Sequence, residues 1–181
     1  MTEANYQFGR VASIHANAVG QPGSRRFRLL IEASNGATAI LWMEKEQLFN
    51  LAVAMKNLID QVEESAKRGR RSGGAGRVEA RVSNAERLEF QTGRMAVGYD
   101  EDSALFLILG NELEEPEGSL PRVSLLADQK TMDGLADEVF EVCAAGRPLC
   151  PLCGAPMNPN ETHICPKHNG YHSGLGEMRD T

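Results

Sequence analysis

The sequence predicts an α+β fold in which a mostly antiparallel sheet packs against two amphipathic helices. Two observations favour this class. Short segments of alternating apolar and polar residues are separated by turn residues, and each of two groups of such segments ends in a stretch with helical periodicity. A chain of 181 residues has room for one such domain and a small appendage.

The first half of the chain contains three predicted strands and a helix. Residues 6–17 are predicted to be a short strand or an irregular entry segment, and residues 26–33 alternate with a period of two, as a half-buried strand does. Asn35-Gly36 is a hairpin signal, so residues 37–43 are predicted to pair with the preceding strand. From Glu44 onward, apolar residues recur at helical spacing, at Leu48, Leu51, Ala52, Met55, Leu58, Ile59 and Val62.

The second half repeats this order. Strands are predicted at residues 78–82, 87–91, 94–99, 104–109 and 122–126. Thr92-Gly93 is predicted to be a tight turn, and the unbroken apolar run at 104–109 predicts a strand covered on both faces. Asp128 is predicted to cap a second helix, whose apolar stripe is Met132, Leu135, Ala136, Val139, Phe140 and Cys143. The strand-to-helix junctions at residues 42–44 and 125–127 correspond to each other. Either an internal duplication of the sequence or convergent patterning explains this repetition.

Composition separates a body from a tail. The α+β body is predicted over residues 1–145, with a flexible basic linker or loop at 65–77, and a zinc-ribbon-like tail is predicted over residues 146–181. The formal charge of −6 argues against a general electrostatic attraction to nucleic acid or anionic lipid. No apolar run reaches the roughly 20 residues that span a bilayer, and the N-terminus lacks a signal-peptide layout. A cytoplasmic protein is therefore expected.

Three of the four cysteines lie near the end of the chain. Cys150 and Cys153 form a C-x2-C pair followed by Gly154, the arrangement of a zinc knuckle, in which a tight turn directs both thiolates at one ion. Cys165 and His168 form a second pair, C-P-K-H, which repeats the Cys-Pro start of the first. Because disulfides are rare in the cytosol, we interpret these clustered cysteines as metal ligands. One structural Zn²⁺ is the expected cofactor.

The fourth ligand has two candidates. His163 lies two residues before Cys165 and can chelate if the chain bends between them, whereas His168 completes the second knuckle. Only one of them is needed for a four-coordinate site with three cysteines. A closed set of protein ligands indicates a structural ion, since a catalytic zinc keeps one position open for water.

The remaining residues that can carry chemistry are also explained by roles in folding. Gly23, Arg25 and Arg26 offer an anion-binding turn, but this turn does not lead from a strand into a helix and matches no phosphate-binding fingerprint. Cys143 is predicted to be an inert thiol of the core, and Trp42 a core residue. The sequence contains no nucleophile elbow or other triad context, so no catalytic residue is assigned.

Three stretches together resemble a known family. They are G-Q-P-G-S-R-R-F at residues 20–27, M-E-K-E-Q-L at residues 43–48, and the tail motif C-P-L-C-G-A-P-M-N-P…H-I-C-P-K-H-N-G-Y. The chain resembles the DUF3090 family over nearly its whole length, and the tail motif is the most specific part of the resemblance. The family brings no established activity.

The resemblance also implies a set of metal ligands. The family pattern in the tail is matched by Cys150, Cys153, His163 and Cys165, and it does not require a histidine at position 168. Thr162 stands where the family pattern has Gly. The resemblance therefore favours His163, whereas the knuckle spacing favours His168.

Three functions follow as hypotheses. The leading one is a non-catalytic zinc-binding adaptor, whose tail docks onto a protein partner. The second is an enzyme or sensor that binds a phosphorylated small molecule near residues 20–26. The third is weak nucleic-acid binding, a common role of zinc ribbons, although the tail from Arg147 onward has as many acidic as basic residues. The basic run that starts at Lys67 lacks interleaved aromatic residues for base stacking, and a solvated linker is favoured there. Nucleic acid is an unexpected partner, and a membrane is not expected.

Overall fold

The strands of the body close into a barrel. The computed structural model describes residues 4–21, 24–68, 81–83, 85–145, 150, 152–153 and 165, and these contain six strands and two helices. In chain order they are β1 (Tyr6–Val19), β2 (Arg26–Ala33), β3 (Thr38–Met43), α1 (Lys45–Lys67), β4 (Arg87–Asp100), β5 (Leu105–Glu112), β6 (Val123–Ala127) and α2 (Gln129–Ala144). Each strand pairs with the next one along the chain, and β6 pairs with β1.

Four of the strand pairings are antiparallel and two are parallel. The parallel pairs are β3 with β4 and β1 with β6. Parallel neighbours need a long crossover connection, and α1 lies in the one between β3 and β4. The predicted α+β class, with a mostly antiparallel sheet and two helices, is confirmed. Closure of this sheet into a barrel is a property that the strand patterns did not predict.

The hairpin between β2 and β3 forms as predicted. Gly36 has a φ of 89°, a left-handed conformation that glycine adopts without strain. The side chain of Asn35 accepts a hydrogen bond from the backbone N–H of Ala37 at 3.1 Å and donates one to the carbonyl oxygen of Val82 at 2.8 Å. Asn35 therefore orders its own turn and also attaches it to the segment that precedes β4.

The core lies between the inward side of the barrel and the two helices. Inward residues alternate along each strand, as Leu29 and Leu41 do, and they belong to the same buried cluster as the apolar stripes of α1 and α2. This cluster extends along the chain from Phe8 to Cys143. The helices therefore cover the inward set of strand residues, which explains why half of the positions in β2 and in β3 are buried.

The two halves of the chain correspond residue by residue in their helices. The N-cap residues Glu44 and Asp128 lie 84 positions apart, and the same spacing separates corresponding buried residues of the two helices. These pairs are Leu48 and Met132, Leu51 and Leu135, Ala52 and Ala136, Met55 and Val139, and Ile59 and Cys143. Each half is thus three strands followed by a helix, and the predicted junctions at 42–44 and 125–127 differ from this alignment by one residue.

Two predictions for β4 and β5 are wrong. The tight turn predicted at Thr92-Gly93 is a shift of register inside the continuous strand β4, which runs through it. The strand predicted to be covered on both faces is β5, in which Leu107 and Leu109 are only half-buried while Phe106 and Ile108 are buried. An unbroken apolar run therefore does not mean burial on both faces here, because Leu107 and Leu109 lie on the outward face of the sheet.

Two further segments bear on the predicted organisation. Helix α1 continues through Lys67, into the segment predicted to be a linker, and residues 69–80 lie outside the described part of the chain. Of the strand predicted at 78–82, residues 81–82 are described and are not in a strand. Within the described residues, neither helix is both long enough and apolar enough to span a membrane.

Candidate metal centre

Helix α2, which precedes the tail in sequence, ends beside the start of helix α1. The two helices are antiparallel, since Phe49 contacts Phe140 with ring centroids 5.4 Å apart, while Lys56 pairs with Asp133 at 2.6 Å. Near the end of α2, the Sγ of Cys143 lies 4.0 Å from the carbonyl oxygen of Lys45. The C-terminal end of α2 therefore lies next to the first turn of α1.

Three cysteine side chains meet in the tail. The Sγ atoms of Cys150, Cys153 and Cys165 all lie within 4.8 Å of one another, and those of Cys150 and Cys165 are 3.7 Å apart. Cys150 and Cys165 are buried, whereas Cys153 is partly exposed. None of the four cysteines forms a disulfide bond. The predicted C-x2-C pair is thus brought together with the cysteine that lies further along the chain.

The spacing of the sulfur atoms suits a bound metal ion. Two thiolates that each lie about 2.3 Å from a tetrahedrally coordinated zinc ion are about 3.8 Å apart. The distance of 3.7 Å between Cys150 and Cys165 is close to this value, and it is far longer than a disulfide bond of about 2.05 Å. The three cysteines can therefore hold a metal ion.

The local backbone favours the ionised form of Cys150. The pKa of the Cys150 thiol is lowered to about 6, mainly by hydrogen bonds from the backbone N–H groups of Cys153 and Leu152 and in smaller part by the thiols of Cys153 and Cys165, against the opposing effect of burial. These N–H donors stabilise negative charge on sulfur. At neutral pH this site therefore favours the thiolate, which is the form that binds metals.

The remaining candidate ligands have separate outcomes. Cys143 is buried in the main core and lies outside the three-cysteine cluster, as predicted for a core thiol. His163 and His168 both lie outside the described residues. The identity of the fourth ligand therefore stays a prediction.

The predicted anion-binding turn is described in part. Gly23 lies outside the described residues, Arg25 is half-buried, and Arg26 is exposed at the start of β2. The guanidinium of Arg26 lies 4.3 Å from the ring centroid of Trp42, and that of Arg28 lies 5.1 Å from the same ring. The prediction that Trp42 belongs to the core is wrong, because this residue faces outward between the buried residues Leu41 and Met43.

Sequence reasoning missed Arg28 and Trp42 as neighbours of Arg26. The alternation of β2 places Arg26 and Arg28 on the same face, but the partner strand and its register decide which side chain lies opposite them. Arg28 pairs directly with Trp42. The hairpin signal at Asn35-Gly36 would have allowed this pairing to be counted out from the turn.

The protein is a six-stranded barrel with two covering helices and a C-terminal cysteine cluster that can hold a metal ion. The sequence matches the family described as "Protein of unknown function (DUF3090)" over residues 6–165. The chain belongs to the DUF3090 family, and the matched region includes Cys150, Cys153 and Cys165. Comparisons with the curated proteins and with the solved structures found no match.

Proposed function

We propose that this protein is a cytoplasmic, non-catalytic zinc protein whose tail is a docking surface for a protein partner. The observation that carries the proposal is the meeting of Cys150, Cys153 and Cys165, with sulfur atoms within 4.8 Å of one another. Thiolates select soft or borderline metals, and zinc is the usual ion of a closed site with three cysteines and one histidine. A reducing compartment keeps such thiols available for the metal.

The role of the ion is to make a short segment rigid. The core cluster extends from Phe8 to Cys143 and does not include Cys150 or Cys165, although both are buried. The tail therefore gains its order from its own ligands, and a bound ion supplies the free energy that a segment of this size lacks.

Leu152 is the side chain around which a docking surface would be built. It lies between the two cysteines of the C-x2-C pair, and it is 51% exposed. A large apolar side chain held on a rigid turn loses little conformational entropy on binding, which favours association with a partner. We propose that Leu152 contacts the partner directly while the metal holds its turn.

The first test is the metal content of the full-length protein, purified without added metal. We expect about one zinc ion per chain in the wild type and in Cys143→Ser, which is the matched control because that thiol lies in the core. Cys150→Ser should lose the ion. Loss in one of His163→Ala and His168→Ala identifies the fourth ligand, and a wild type without metal contradicts the zinc site.

The second test separates docking from metal binding. We expect Leu152→Glu to retain zinc and to lose a partner that the wild type and Cys143→Ser co-purify in equal amounts from cells that produce the protein. Co-purification that is unaffected by both Leu152→Glu and Cys150→Ser contradicts docking through the tail, even if the metal content is as expected.

A further inference from the structure

A cationic patch lies on the outer face of the barrel, on the strands that form the first half. It consists of Arg26 and Arg28 on β2 and Trp42 on β3. In the sheet, Arg28 lies directly opposite Trp42, with Asn17 and Gln91 at the two ends of the same row. This row contains no carboxylate, so the charge of Arg28 is not balanced by a neighbour in register.

Both guanidinium groups are held against one ring. The guanidinium carbon of Arg26 lies 4.3 Å from the Trp42 ring centroid and that of Arg28 lies 5.1 Å from it. The ring itself is held by a hydrogen bond from its Nε1 to the carboxylate of Glu89, at 2.7 Å. Cation–π contacts of this kind favour one arrangement of two long, flexible side chains, so their donors are arranged before a ligand arrives.

The patch has unused hydrogen-bonding capacity. Among the described residues, no carboxylate lies within the ion-pair distance of 4.0 Å from Arg26 or Arg28, whereas Arg10 and Arg122 have such partners. Within the described part of the chain, the Nε of Arg28 has no hydrogen-bond acceptor and is shielded from water, as is the Nε of Arg122. Because Arg26 and Arg28 have no ion-pair partner among the described residues, a carboxylate placed against their guanidinium groups gains charge-assisted hydrogen bonds without displacing one.

The other half of the barrel has apolar residues at the position that corresponds to Arg28 and Trp42. The pair that corresponds to Arg28 and Trp42 is Leu107 and Leu126, which lie opposite each other on β5 and β6. A pair of leucines therefore occupies the equivalent position in a similar sheet. The arginine and tryptophan of the first half are consequently candidates for a role in binding rather than in folding.

Apolar side chains lie beside the charges. In the next row of the same face, Leu30 lies opposite Ile40, and both are half-buried. Val19 is paired with Arg26 and is 44% exposed. Partly exposed apolar residues next to guanidinium groups suit a ligand that carries both carboxylates and apolar side chains. Trp and Arg are also the residues most enriched at the energetic centres of protein interfaces.

We propose that the cationic patch binds an acidic, partly apolar peptide segment of a protein partner. The carboxylates of that segment pair with Arg26 and Arg28, and its apolar side chains cover Trp42 and the neighbouring strand residues. This surface is separate from the tail in sequence and in chemistry, so the proposal does not depend on the zinc site.

The test measures the binding of a fluorescein-labelled peptide, Glu-Glu-Leu-Glu-Glu-Leu-Glu-Glu, to the full-length protein at two salt concentrations. We expect the affinity to fall roughly tenfold or more in Arg26→Glu/Arg28→Glu, since each lost charge-assisted contact is replaced by repulsion. Trp42→Leu, which installs the residue found in the other half, should weaken binding roughly threefold or more. The single variant Arg28→Glu is compared with Arg94→Glu as its matched control, because Arg94→Glu makes the same charge change at an exposed arginine on β4 whose side chain donates to the carbonyl oxygen of Pro116.

The outcomes are separable. Thermal unfolding and metal content are measured for every variant, and Arg26→Gln, at an exposed position, replaces the double variant if that one fails to fold. Equal affinity in the wild type and the arginine variants, or no binding by the wild type at low salt, overturns the proposal. Stabilisation of the wild type by pyrophosphate without peptide binding also overturns it, and assigns the patch to small phosphorylated molecules.

Discussion

Asp128 shows how one side chain connects a strand, a helix and the sheet beside them. Its carboxylate accepts a hydrogen bond from the backbone N–H of Thr131 at 2.9 Å, which caps α2, and it pairs with Arg10 of β1 at 2.6 Å. These contacts, the Thr131 bond first, lower the pKa of Asp128 from 3.8. The charge of this residue therefore favours the folded state above that pH and fixes the start of α2 against the sheet.

We expect Asp128→Ala to lower the free energy of unfolding by about 1 kcal/mol at pH 7, because the first turn of α2 loses its cap. Because the folded pKa is depressed, the stability contributed by the carboxylate is present above 3.8 and is lost as the pH falls through the lower folded value. Urea unfolding at several pH values measures the difference. Arg10→Ala serves as the control that removes the ion pair and leaves the cap, and a difference that does not shrink in acid contradicts this account.

The interface between α1 and α2 has an aromatic contact at one end and an ion pair at the equivalent place at the other end. Phe49 and Phe140 contact each other at one end of the interface, and Lys56 pairs with Asp133 and Asp137 at the other, each at 2.6 Å. Positions 49 and 133 are 84 residues apart, as are positions 56 and 140, so the aromatic pair and the ion pair occupy equivalent places. These partners, with Asp133 the larger cause, raise the pKa of Lys56 above 10.5.

A glycine inside α2 offers a stabilising substitution. Gly134 lies in the helix, and a Cβ added there would meet nothing within 4 Å. We expect Gly134→Ala to raise the free energy of unfolding by about 0.5–1 kcal/mol, since alanine loses less backbone entropy in a helix. Thermal and urea unfolding measure the change. A destabilised variant would mean that the surroundings of α2 are more crowded than the structure shows.

At the scale of the whole molecule, closure brings backbones into contact at the register shift of β4. A Cβ added to Gly93 would lie 2.9 Å from the Cα of Leu113 and 3.1 Å from the carbonyl oxygen of Glu112. The carbonyl oxygen of Gly93 also accepts a hydrogen bond from the side chain of Gln47 at 2.9 Å. This position therefore joins β4, the end of β5 and the first turn of α1, and it leaves no space for a side chain.

We expect Gly93→Ala to lower the free energy of unfolding by about 1–3 kcal/mol, because the atoms in its way belong to the backbone and cannot move aside. Gly134→Ala is the matched control, since the same substitution there has the opposite sign. Equal effects of the two substitutions in urea unfolding would contradict the close packing at Gly93.

The body of the protein is expected to stay folded when the metal is removed from the tail. Because the core cluster ends at Cys143, we expect a chelator to remove the metal while the circular dichroism of the body and its cooperative unfolding stay nearly unchanged. Proteolysis at the tail should become faster at the same time. Global unfolding on chelation would show that the body and the tail form one cooperative unit.

Sequence reasoning succeeded where the physics is local. The α1 stripe, the N-cap at Asp128, the Asn35-Gly36 hairpin and the C-x2-C pair all depend on residues a few positions apart, whose spacing constrains the geometry. It failed at Thr92-Gly93, because a glycine in a strand has the same local signature as a glycine in a turn. Pairing with β5 is what selects the strand.

The sequence by itself determined the α+β class, the repeated order of strands and helix, and the cysteines that can hold a metal ion, since periodicity and spacing are written along the chain. Only the tertiary contacts established that β6 pairs with β1 and that Asp128 at the start of α2 pairs with Arg10 of β1. These contacts join residues far apart in sequence. The free energy that selects them comes from closing the sheet around one core, which no short window of sequence contains.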